Sequence, residues 1–149
     1  NALERDPAAV ALGARLFFDP ALSASGRVSC ASCHRPELAF QDGLPRAIGQ
    51  GPGLRNTPGL WDVAGQRWYG WDGASDSLWA ASLRALLNPA EMGGDPAAIQ
   101  ARLRREPLLA AVADDEALLV RAAKALAAWQ ATLASPRSPF DDYRDALAR

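Results

Sequence analysis

Residues 30–34 read Cys30-Ala31-Ser32-Cys33-His34, and this stretch decides how the rest of the chain is understood. The C-x-x-C-H form is the pattern of c-type haem attachment. Two thiols on one tight turn can each bond a vinyl group of the same porphyrin, and the next residue is then held under the iron, where its imidazole coordinates. The other ring nitrogen of such a ligand ordinarily donates to a carbonyl or carboxylate. The two cysteines and the single histidine of the chain all lie in these five residues. A structural zinc site needs four ligands, and the fourth would have to be a carboxylate. A thioredoxin-like dithiol belongs near a βαβ pattern, which is absent, and a plain disulfide leaves His34 unexplained. Haem outweighs these, with Cys30 and Cys33 as its attachment points and His34 as iron ligand.

With one histidine in the chain, ligation of the iron by two of its own histidines is excluded. The sixth position falls to Met92, to a weaker donor such as Gln50 or Tyr69, or stays open to water and small oxidants. A Met/His pair suits electron transfer, whereas an open position suits peroxide or oxygen chemistry. Met92 also has an ordinary reading, since methionine fills core gaps readily. Glu91 precedes it in a turn between Asn88-Pro89 and Gly93-Gly94. It reads either as a solvated carboxylate or as a general acid/base beside the haem.

Outward from the motif, the sequence is helical. Asp6-Pro7 predicts an N-cap and first helical position, with Leu12 and Leu16 spaced for a helix over about 6–18. From Asp19 to about Arg55 the chain is rich in Gly, Pro and Ser, with one or two helical turns expected only after Ser29. A loop region this long is held by something other than its own secondary structure, as a buried cofactor would hold it. Trp61, Trp68 and Trp71 beside Tyr69 are expected to line something large and flat. Ser77 to Leu87, a segment opened by Asp95-Pro96, Asp114 to Ala134 and Phe140 to Ala148 read as further helices. No stretch alternates as a strand does, so the fold class is all-α.

The chain has 149 residues, 49% apolar and 22% charged, which fits one folded domain over 1–149 with a real core. Sixteen basic and seventeen acidic side chains leave a net charge of -1, which argues against nucleic acid as a partner. No apolar run approaches the roughly 20 residues of a membrane span. The first residues, Asn1 to Asp6, carry no export signal. The compartment is therefore read from chemistry: haem attachment through cysteines points to the bacterial periplasm.

Six segments, LGARLFFDPALSASGRVSCASCH (12–34), AFQDG (39–43), RNTPGLWDVA (55–64), WDG (71–73), NPAEMG (88–93) and SPFDDY (138–143), resemble the N-terminal, peroxidatic haem domain of bacterial dihaem cytochrome c peroxidases and the related MauG group. The resemblance implies a cytochrome c-like fold with long haem-wrapping loops and one covalent haem c that reacts with hydrogen peroxide. It implies Glu91 as catalytic acid/base and Trp71 as the residue passing electrons between two haems. It further implies Asn56 as a ligand of calcium, a second cofactor. The chain departs from the pattern in three places. Gln50 stands where many members carry an iron-capping histidine, Ala81 stands where they carry a distal glutamine, and the second haem domain would begin just after SPFDDY. Peroxide reduction takes two electrons, so another redox centre is expected, in an electron-donor protein or a second haem domain. The alternative is a single-haem electron-transfer cytochrome with His34 and Met92 on the iron.

Overall fold

The computed structural model describes residues 6–148. Asn1–Arg5, where an export signal was sought, lie outside them, as does Arg149. Six α-helices follow in order: α1 Pro7–Phe17, α2 Cys30–Cys33, α3 Leu78–Leu87, α4 Pro96–Leu103, α5 Asp115–Gln130 and α6 Pro139–Leu147. Short 3-10 turns form at Pro20–Leu22, Pro36–Leu38 and Val63–Gly65. Pairing of β type among the described residues is limited to isolated bridges such as Tyr69 with Ser75.

One local device starts most of these elements. Asp6, Asp19 and Asp95 each accept a hydrogen bond from an amide in the following turn, with proline in the first helical position. Asp114 caps α5 without a proline, and Ser138 caps α6 in a reciprocal box with Asp141. The helix expected to reach Ala134 stops at Gln130. Thr132 turns its hydroxyl back to the Trp129 carbonyl at 2.7 Å, and the Leu133 carbonyl accepts from the Asp62 amide at 2.8 Å, so the last turn unwinds towards the loop region.

α1 crosses α5 at very close range. A Cβ at Gly13 would lie 1.9 Å from the Ala125 carbonyl oxygen, so only glycine lets the two backbones meet there. The facing stripe of α5 is built from Ala122, Ala125 and Leu126, all nearly fully buried with Leu12, Leu16 and Phe17 of α1. α3 and α4 pack on the same helix, through Leu86, Ile99 and Leu103. This frame carries the long segment between His34 and Ser77, which contains no α-helix and wraps the site.

Candidate haem site

α2 is a single turn. Ser29 precedes it and donates its amide to Ser32 Oγ at 3.0 Å, and the His34 amide closes on the Cys30 carbonyl at 2.8 Å. Cys30, Cys33 and His34 thereby face one cavity of ≈ 550 Å³, walled elsewhere by Leu60, Val63, Tyr69, Leu78 and Met92. A cavity of this size with a mostly apolar wall fits a cofactor or other small ligand.

The imidazole is fixed from behind. His34 Nδ1 lies 3.0 Å from the Phe40 carbonyl oxygen. A carbonyl only accepts, so Nδ1 carries the hydrogen and Nε2 keeps the lone pair a metal needs. Two consecutive left-handed residues, Ala39 at φ 56 and Phe40 at φ 59, aim that carbonyl. A bulky residue in this conformation is an outlier, and such strain gathers at functional sites. Burial lowers the His34 pKa against the opposing pull of the Phe40 and Pro58 carbonyls, which keeps the ring neutral as a ligand requires. Burial pushes the Cys30 thiol up to about 12 and raises Cys33 as well. Raised thiols are poor redox nucleophiles, which weighs against the dithiol reading.

Glu91 and Met92 sit on the same cavity wall. The Glu91 carboxylate accepts a hydrogen bond from Asn88 Nδ2 at 2.7 Å. Its backbone carbonyl accepts from the Gln50 amide at 2.8 Å, and the Ala90 carbonyl accepts from Gly51 at 3.2 Å. A Cβ at Gly49 would lie 2.4 Å from the Glu91 carbonyl oxygen, so this glycine is what lets the loop come so close. The Met92 sulfur lies 3.7 Å from Cys30 Sγ. Gln50 turns its amide to Ser25 Oγ at 3.0 Å and does not line the cavity. Ala81 does line it, on α3.

Of the aromatic residues expected around one flat group, only Tyr69 and Trp71 line the cavity. Trp68 is turned to solvent, and Trp61 packs edge-on against Phe40 with ring centroids 5.5 Å apart. Leu60 and Val63 take the inward positions there, on either side of the left-handed Asp62. Trp71 is 58% exposed and donates from Nε1 to the Asn56 carbonyl at 2.9 Å. Asn56 also borders a shallow depression with Asp42 and Thr57. The described residues contain no cluster of three His, Cys, Asp or Glu side chains able to hold a metal ion. Asn88, Gly49 and the Phe40 carbonyl were not singled out from the sequence. The sequence marks Asn88 only as the start of the turn that carries Glu91, and a backbone carbonyl leaves no mark in the residue string.

The helical frame, the haem-attachment turn and the cavity define a c-type cytochrome domain. Residues 7–148 match the di-haem cytochrome c peroxidase family, and the chain belongs to it. It is 43% identical to the methylamine utilization protein MauG of Methylorubrum extorquens over 92% of its own length and 41% of that protein's. Cytochrome c551 peroxidase of Pseudomonas aeruginosa is 32% identical over 89% of this chain and 41% of its own. Among solved structures, the diheme peroxidase BthA of Burkholderia thailandensis superposes with TM-score 0.77 at 32% identity, covering 93% of this chain and 42% of that one. A MauG-like protein associated with microbial copper homeostasis gives TM-score 0.77 at 30% identity over 97% of this chain. The chain thus spans about two fifths of the length of these relatives. The all-α cytochrome c-like class read from the sequence is the class observed, and membership of a di-haem cytochrome family implies haem c binding.

Proposed function

We propose that residues 1–149 form one haem domain, carrying a single haem c on Cys30 and Cys33, that reacts with hydrogen peroxide in a periplasmic peroxidase or MauG-like oxidase. The supporting observation is the placement of Glu91, held by Asn88 on the wall of the cavity that His34 enters. Bound there, haem c supplies a redox-active iron at which the O–O bond can be reduced. His34 holds that iron through Nε2, oriented by the Phe40 carbonyl. Glu91 carries a proton from one peroxide oxygen to the other, the work of a general acid/base, while Asn88 keeps its carboxylate aimed. Met92, buried with its sulfur 3.7 Å from Cys30 Sγ, would pack beside the bound haem and not ligate its iron, which would leave the oxidant a place there.

Trp71, half in solvent at the cavity mouth, passes electrons between this haem and a second redox centre in an electron-donor protein or another haem domain. Were calcium bound, Asn56 would be one of its oxygen ligands, of which calcium takes 6–8. Among the described residues no helix is long and apolar enough to cross a membrane.

The test is the rate of peroxide consumption by the haem-loaded protein with its electron donor. Glu91→Gln should slow it by roughly 10²–10⁴-fold, the usual loss on removing a general acid/base. An unchanged rate takes Glu91 out of the mechanism.

A further inference from the structure

Arg55 and Arg84 are the only cationic side chains on the cavity wall among the described residues. They stand on either side of one carboxylate: each guanidinium Nη1 lies 3.7 Å from an oxygen of Asp72, beyond hydrogen-bond reach. Asp72 Oδ1 is instead held by the Ala74 amide at 3.2 Å. Glu91 and Asp72 balance the two half-exposed guanidiniums in charge on this wall, but neither takes a hydrogen bond from them, and both donor forks are unspent. Arginine's planar fork matches a carboxylate in two parallel hydrogen bonds. A porphyrin attached through its vinyl carbons carries two ionised propionates on the edge away from those bonds. Cationic donors on the wall suit such carboxylates, and Arg55 and Arg84 supply two.

We propose that Arg55 and Arg84 form the propionate clamp of this site, one guanidinium to each haem carboxylate, with Asp72 as the anion that spaces them. The inference rests on the haem reading above. The clamp and Trp71 share one scaffold, since Asn56, next to Arg55, receives the Trp71 indole hydrogen bond and Asp72 follows Trp71 directly. Propionate position and the orientation of the exposed indole are set by the same turn.

The test is a spectroelectrochemical titration of the haem-loaded chain across pH. Arg55→Gln and Arg84→Gln each remove a cation near the iron and lower its reduction potential, further in the double variant; Asp72→Asn shifts it upwards. In the glutamine variants, proton uptake by the released propionate enters the accessible range, so the potential gains a pH dependence beyond that of the wild type, in which Glu91 is the carboxylate on the same wall. Lysine at either position restores charge but not the fork, recovering the potential in part while the propionate bending bands in resonance Raman move. Potentials and pH profiles matching wild type in the double variant overturn the clamp. Should that variant not fold, unmoved propionate bands in both lysine variants overturn it equally. A wild-type chain without haemochrome absorbance after denaturation overturns the haem reading itself and the clamp with it, whereas covalent haem with unshifted potentials overturns the clamp alone.

Discussion

His34 shows how much a single residue can declare and how much it leaves to its surroundings. The haem motif points to one candidate ligand, because no other histidine exists in the chain. Its tautomer, however, is set by the Phe40 carbonyl, which reaches Nδ1 only through two strained backbone angles. Through-space partners of this kind are illegible in a residue string, and Asn88, Arg55 and Arg84 belong with them. Met92 was legible both as a candidate ligand and as a core residue, and it is buried. On the proposal above it packs in the core and does not ligate, so Met92→Leu, a swap of similar volume, should cost under about 1.5 kcal/mol in chemical denaturation. The same variant should leave the ferric absorption spectrum unchanged. Loss of a sulfur-to-iron charge-transfer band on substitution would restore the methionine-ligated cytochrome reading.

At the level of elements, the helices were readable because their starts are written in capping residues followed by proline and their faces in leucine and alanine spacing. The helix ends were less so: α5 stops early because Asp62, distant in sequence, draws on its last turn. The wrapping loops were foreseen as a region but not as a path, since their course is decided by isolated backbone bridges and a few glycines. Gly49 is the clearest case. Its loop docks on the Glu91 turn through backbone hydrogen bonds alone, and any side chain there strikes the Ala90 and Glu91 carbonyls. Gly49→Ala should destabilise the fold by about 1–3 kcal/mol, as overpacking does, and displace the carboxylate. A drop in peroxide turnover larger than the loss of folded protein, measured against a thermal melt, is the expected outcome. Equal losses would mean that the loop does not position Glu91.

Across the whole molecule, distant segments are joined by a charge network. Glu106, almost buried, accepts from Arg15 of α1 at 2.8 Å and from Arg102 of α4 at 3.0 Å, and Arg102 also pairs with Asp19 at 2.7 Å. The hydrogen bond from Arg15, then that from Arg102, holds the Glu106 carboxyl below its usual range against the cost of burial. A pKa lowered on folding contributes stability that is full above the unfolded value of about 4.3 and is lost as pH falls through the folded value. Glu106→Gln should therefore be less stable than wild type near neutrality, with the gap closing in acid, as read from urea unfolding at a series of pH values. A gap independent of pH would mean that the charge is not what stabilises. The meeting of α1 with α5 at Gly13 bears on the same scale. That contact acts as a clasp near the two ends of the sequence, with the cofactor-binding span slung between its jaws. The span is tethered on both sides by that contact, and a nick at the protruding Leu54 would open it without parting the two pieces.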